Sequence, residues 1–180
     1  VIAGSGSNST AQAIETTTES KRIGADFSLL VTPYYNRPSQ KGLLEHYLKI
    51  ADSCDIKQIL YNVPSRTACD ILPETVKILS KHQNIIGIKE ALDNTERVNE
   101  LIKISEECSE EFLIFSGDDA SFLNLLSSGG HGVISVAANI IPNIISEICN
   151  EYKDNLEHAK DINERYQKFY DLLFIESNPS

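Results

Sequence analysis

The residues able to do chemistry in this chain follow short apolar runs. Lys89 closes the run Ile85-Ile86-Gly87-Ile88. An ammonium there faces desolvation; partial burial lowers a lysine pKa and frees the amine to attack a carbonyl, forming a Schiff base. A solvated strand-end lysine paired with its neighbour Glu90 is the competing reading, and on residue type alone it is the stronger. Tyr34, Tyr35 and Tyr61 occupy similar positions. A phenol relays protons when hydrogen-bonded to another hydroxyl, but tyrosines are also ordinary rim residues with an apolar body and a wet tip. Both readings stay open. Arg66, reached through Pro64, carries a planar fork suited to a carboxylate, or to a structural ion pair. Asp118-Asp119 could serve as general acid and base, though Asp119 stands where a helix N-cap belongs and is expected to be one.

Other chemistries are less well supported. Gly4-Ser-Gly-Ser-Asn8 lacks the third glycine of a dinucleotide loop, and Gly129-Gly130-His131-Gly132 precedes an apolar run instead of following one; neither has the lysine and hydroxyl order of a P-loop. Cys54, Cys69, Cys108 and Cys149 contain no C-x-x-C pair, and His46, His82, His131 and His158 are scattered, so no metal site is expected. With 16 basic against 26 acidic side chains the formal charge is −10, which argues against nucleic acid or an anionic membrane as partner. No apolar run approaches the roughly 20 residues of a membrane span. The expected location is the cytoplasm.

These residues need a scaffold that gathers strand ends. The apolar runs Val1–Ala3, Phe27–Val31, Gln58–Tyr61, Ile85–Ile88, Phe112–Phe115 and Gly132–Val136 are short and not alternating, as for strands buried on both faces of a parallel sheet. Helical patterns lie between them: Ser9–Arg22 with a capping box and Gly24 as its stop, Ser39–Ser53, Pro73–Lys81, Asn94–Glu107, Asp119–Ser128, Pro142–Tyr152 and Asn155–Leu173. Strands alternating with helices at this spacing predict an α/β fold, either an open doubly wound sheet or a (β/α)8 barrel. Six units against the eight a barrel needs predict an incomplete barrel. The absence of methionine, and an opening Val-Ile-Ala-Gly that reads like strand interior, predict a piece of a longer chain.

As an ordered set the strand-end segments become specific. Val1-Ile-Ala-Gly-Ser-Gly-Ser-Asn8, Leu30-Val-Thr-Pro-Tyr-Tyr-Asn36, Tyr61-Asn-Val-Pro-Ser-Arg-Thr67, Gly87-Ile-Lys-Glu-Ala91, Ser116-Gly-Asp-Asp119 and Gly132-Val-Ile-Ser135 together closely resemble the dihydrodipicolinate synthase family, across essentially the whole chain. The resemblance implies a class I aldolase-like TIM barrel of lysine and diaminopimelate biosynthesis, with family strands 3 to 8 in residues 1–153 and the start of a C-terminal helical domain in 154–180. It implies that Lys89 forms an imine with pyruvate and that the enamine attacks L-aspartate-4-semialdehyde, with no metal or organic cofactor. Tyr61 matches the tyrosine that relays protons to the imine, and Tyr35 one that enters the site from a neighbouring subunit. Arg66 matches the arginine that holds the semialdehyde carboxylate. Ile134 matches a residue whose backbone contacts pyruvate, and Gly117 lines the same cavity. A homotetramer built from two tight dimers is implied.

Departures from the family pattern carry expectations of their own. The family's Gly-Thr-Thr-Gly-Glu segment, whose threonine is the middle of the relay, is missing along with the first two units, so the piece alone is expected to be inactive. Asn8 and Tyr34 match an inhibitory lysine site of regulated members, but Gln12 stands where those members carry a glutamate, and weak or no lysine sensitivity follows. N-acetylneuraminate lyase and keto-deoxy-sugar aldolases share the lysine and tyrosine. Arg66 separates them, because it suits a carboxylate-bearing aldehyde. A decayed, non-catalytic parent is the alternative of another class, and Lys89, Tyr61, Tyr35 and Arg66 together speak against it.

Overall fold

Each helix in the first part of the chain begins where a polar side chain accepts from a free first-turn amide or a proline removes one such donor. In the computed structural model, which describes residues 1–178, Ser9 accepts from Gln12 N, Ser39 from Gly42 N and Asn94 from Arg97 N, while Pro64 and Pro73 occupy first-turn positions. The chain forms two units. In the first, Val1–Ile114, strands β1 (Ile2–Gly4), β2 (Phe27–Val31), β3 (Lys57–Asn62) and β4 (Ile85–Glu90) alternate with helices α1 (Thr10–Arg22), α2 (Gln40–Ser53), α3 (Pro64–Thr67), α4 (Pro73–Leu79) and α5 (Thr95–Glu107). The one-turn α3 is not expected from the sequence.

The strands of this unit are parallel and pair in chain order, with Val31 opposite Tyr61 and Tyr61 opposite Lys89. Successive strand residues point to opposite faces. One face carries Leu30, Leu60 and Ile88, all fully buried, with Leu43, Tyr47 and Ile50 of α2 and Leu101 of α5 also fully buried in the core. Tyr47 Oη donates to Leu30 O at 3.4 Å, which places α2 against that face. Burying each such side chain contributes about 1.5–3 kcal/mol. The other face is less covered: Phe27, Leu29 and Val31 are half-buried, so β2 does not have the two-sided burial expected of it. The serine-glycine cluster after β1 has a packing reason, since a side chain on Gly6 would collide with the backbone of Val31.

In the second unit, Phe115–Ser180, the end of β5 (Leu113–Ser116) pairs in parallel with β6 (Gly132–Val133). Helices α6 (Phe122–Ser127), α7 (Pro142–Glu151) and α8 (Leu156–Leu173) and a 3-10 turn at Ala137–Asn139 complete it. Phe122, Leu126, Ile145, Ile148, Ala159, Ile162 and Tyr170 share one core, so α7 and α8, on either side of residue 153, pack together. The final residues of the expected 154–180 segment, 179 and 180, lie outside those described. Strand β6 is shorter than the expected run to Val136, because Ser135 already accepts from Ala138 N at 2.8 Å and begins a helical turn.

Asp119 is not a helix N-cap. Helix α6 starts at Phe122 behind Ser121, and Asp118 holds that turn by accepting from Ser121 N at 2.9 Å and Ser121 Oγ at 2.6 Å. Asp119, 3% exposed, instead accepts from Val136 N and Ala137 N, both at 2.9 Å, and anchors the 3-10 turn. The glycines at 129 and 130 end α6: Gly129 is left-handed at φ 107°, and Gly130 N donates to Leu125 O at 2.9 Å. Among the described residues, no helix is long and apolar enough to cross a membrane.

Candidate active site

Register and strand periodicity put Lys89 beside Tyr61. Both are the next-to-last residues of neighbouring parallel strands, opposite each other in the ladder, and therefore share a face. Lys89 is 7% exposed, and its Nζ lies 4.2 Å from the centroid of the Tyr61 ring. That is cation–π range for the ammonium, and equally for a protonated imine at the same atom. Tyr61 is half-buried; burial pushes its phenol up, while the nearby Arg66 guanidinium pulls it down.

Glu90 is not the partner of Lys89. It is one residue further along β4 and faces the other way, where it is 1% exposed. Its Oε2 accepts from Arg97 Nε at 2.6 Å, both oxygens lie 3.0–3.1 Å from Asn62 Nδ2, and Oε1 accepts from Leu92 N at 2.9 Å. The reading of Lys89 as a strand-end lysine in a neighbour ion pair therefore fails in geometry. Burial raises the Glu90 carboxyl, against the pull of Arg97, Leu92 N and Asn62. This cluster, which includes Asp70, is not evident from the sequence. Its one signal there is position: Asn62 and Glu90 each directly follow a candidate catalytic residue.

Arg66 is delivered by α3. Pro64 starts that single turn, and Ala68, left-handed at φ 54°, ends it. The Arg66 side chain is exposed and makes no ion pair among the described residues.

The other two tyrosines do not join Lys89 within this chain. Tyr34 is 42% exposed and Tyr35 90% exposed. Tyr35 is held in the left-handed region at φ 73°, and Arg37 two residues later at φ 47°. Asn8 Nδ2 donates to Tyr34 O at 3.2 Å, and Asn36 Nδ2 to Asn8 O at 3.0 Å, so Asn8 and Tyr34 are brought together. Gln12 sits exposed on the first turn of α1 and donates to Glu15 of its own helix at 3.3 Å. In the second unit, Ile134 N donates to Ser116 O at 2.9 Å, and Gly117 follows that serine at the end of β5. Among the described residues no group of three or more His, Cys, Asp or Glu side chains is placed to hold a metal ion.

A buried amine against a phenol ring, with a guanidinium nearby, is suited to carbonyl chemistry on a carboxylate-bearing substrate. The chain is 52% identical over 180 residues to the 4-hydroxy-tetrahydrodipicolinate synthase of Pseudomonas savastanoi pv. phaseolicola, covering 99% of this chain and 61% of that protein. It spans about three fifths of the length of such relatives. The dihydrodipicolinate synthase of Acinetobacter baumannii, solved as a complex with pyruvate, superposes with a TM-score of 0.94 at 43% identity, covering 99% of this chain and 60% of that one. The enzyme of Thermotoga maritima gives a TM-score of 0.96 at 37% identity, covering 99% and 61%. These matches place the six βα units in the (β/α)8 class, of which the chain carries part. The model of the dihydrodipicolinate synthetase family matches residues 1–180, and to that family this chain belongs.

Proposed function

We propose that the protein containing this chain is a lyase that condenses pyruvate with L-aspartate-4-semialdehyde through a Schiff base on Lys89. The observation that carries the reading is the placement of the Lys89 amine: 7% exposed, 4.2 Å from the Tyr61 ring, and next to a carboxylate already committed to Arg97. The neutral amine attacks the keto carbon of pyruvate, the carbonyl oxygen leaves as water, and a protonated imine remains. Loss of a methyl proton gives the enamine, whose carbon attacks the aldehyde. Tyr61 is the phenol positioned to hand protons to the departing oxygen and to the new alkoxide. Tyr35 completes that relay from a neighbouring subunit of a homotetramer. Arg66 grips the carboxylate of the aldehyde partner by two hydrogen bonds, which an exposed guanidinium with no ion pair among the described residues is free to form.

The test is reduction with borohydride in the presence of pyruvate, on the full-length protein that contains this sequence, followed by peptide mass mapping. The expected result is one reduced adduct, on Lys89. A folded protein that gives no adduct there would overturn the reading. If the adduct forms, aspartate semialdehyde offered as the second substrate is expected to be consumed with the bound enamine.

A further inference from the structure

Behind the Lys89–Tyr61 pair, on the opposite face of the same two strands, lies a buried polar cluster. Its members stand one register step beyond the pair: Asn62 opposite Glu90, as Tyr61 is opposite Lys89. Asn62 Nδ2 also donates to Asp70 Oδ1 at 2.9 Å, and Asn62 Oδ1 accepts from Ile71 N at 3.1 Å. Arg97, on the first turn of α5, spans the cluster. Its Nε bonds Glu90 at 2.6 Å, a terminal nitrogen bonds Asp70 Oδ2 at 3.2 Å, and another donates to Ile71 O. Gln40 of α2 donates to Asp70 O at 2.7 Å and accepts from Leu72 N at 3.1 Å. One set of side chains thus joins the ends of β3 and β4 to the loop that follows Arg66.

A sheet held only for stability does not need this. Buried ion pairs are weak stabilisers, because the desolvation of both charges offsets most of their attraction, and well-packed apolar residues serve as well or better. What they do supply is fixed geometry: Glu90 is saturated by three donor groups from three places, and Arg97 presents a rigid fork. The peptide units next to Lys89 and Tyr61 are therefore locked to each other. We infer that Asn62, Asp70, Glu90 and Arg97 are positioning residues, which set the separation of the Lys89 amine from the Tyr61 ring and hydroxyl for imine formation. The inference rests on the proposed Schiff-base function and adds to it the group that aligns its reacting atoms.

The deciding measurement is the rate of imine formation per active site, followed by rapid borohydride quenching in full-length wild type, Glu90→Gln and Arg97→Lys proteins. Glu90→Gln turns an acceptor toward its donors into an NH2 that opposes one of them. Arg97→Lys keeps the charge but cannot reach Glu90, Asp70 and Ile71 together. A displacement of about 1 Å costs on the order of a hundredfold in rate, so both variants are expected to slow the maximal imine-forming rate by about ten- to a hundredfold. The pyruvate concentration giving half that rate is expected to change little. A purely structural cluster would lower the melting temperature and the number of trappable sites and leave the rate per remaining site at the wild-type value. That outcome would overturn the inference. If Glu90→Gln does not fold, the charge-conserving Arg97→Lys decides by the same rate. A wild type that traps no pyruvate would overturn the Schiff-base function itself, and the inference with it.

Discussion

The Tyr61 ring lies 4.2 Å from Lys89 Nζ, so this side chain offers both a π face to a cation and a hydroxyl to a proton. Phenylalanine keeps the first and removes the second. Because a positioned acid–base group contributes about 10²–10⁴-fold, Tyr61→Phe is expected to lower kcat by a hundredfold or more while pyruvate KM moves little. Steady-state kinetics on the full-length protein check this, and an unchanged kcat would mean that Tyr61 is only a wall of the site. At this scale the sequence offers candidate side chains but not their neighbours. Lys89, Tyr61 and Arg66 are legible because each ends or follows an apolar run. The fate of Glu90 is not, because adjacency in sequence suggests an ion pair with Lys89, whereas strand alternation sends adjacent residues to opposite faces. Arg97 is hidden for a related reason: inside an amphipathic helix it reads as a solvated residue, yet it is 9% exposed and bonded on all sides.

Helices α1 and α2 meet through a titratable contact. His46 on α2 is 5% exposed, its Nδ1 lies 2.9 Å from Thr10 Oγ1 at the start of α1, its ring packs edge-on against Tyr47, and its Nε2 has no hydrogen-bond partner. A proton on Nε2 would be a buried, unpaired donor, and burial accordingly lowers the His46 pKa to about 4. The folded-state value lies below the ordinary value near 6.5, so the contribution to stability is complete above that pH and is lost as pH falls toward 4. Each pH unit between those two values is worth about 1.4 kcal/mol, so roughly 3 kcal/mol is lost over this range. Denaturant unfolding of wild type and His46→Gln across that window is expected to show the wild-type advantage shrinking by about that amount. A difference independent of pH would mean another group titrates. The elements themselves are largely legible: every expected strand and helix exists, because apolar runs, caps and prolines are local signals. The failures are where distant groups decide. α6 starts at Phe122 because Asp119 is drawn away to the Val136 and Ala137 amides. α3 is a single turn whose left-handed Ala68 no local rule anticipates.

Whole-molecule behaviour turns on Tyr35, whose 90% exposed ring is held out by a backbone in the left-handed region at φ 73°. Such a conformation costs on the order of 1–3 kcal/mol for a residue other than glycine and persists only where its surroundings hold it. Here Asn8, Asn36 and Arg37 hold it: Asn36 Nδ2 bonds Asn8 O, Asn8 Nδ2 bonds Tyr34 O, and Arg37 Nε bonds Ala68 O at 3.1 Å. The last bond also ties the Tyr35 loop to the end of α3, the turn that carries Arg66. A large aromatic fixed in solvent by strained backbone is suited to a surface on a second copy, as the proposed relay across subunits requires. The two arrangements, Tyr35 acting on its own chain's Lys89 or on a neighbour's, differ in a mixing experiment with full-length protein. Lys89→Ala lacks the nucleophile and Tyr35→Phe the relay, and each alone is expected to be nearly inactive. If Tyr35 crosses the interface, refolding them together in equal amounts creates hybrid dimers in which one site pairs an intact Lys89 with the intact Tyr35 of its neighbour. Half the dimers are hybrids and half their sites are complete, so about a quarter of wild-type activity returns. If Tyr35 serves its own chain, no combination of these subunits restores a complete site, and the mixture stays at the average of the two inactive variants.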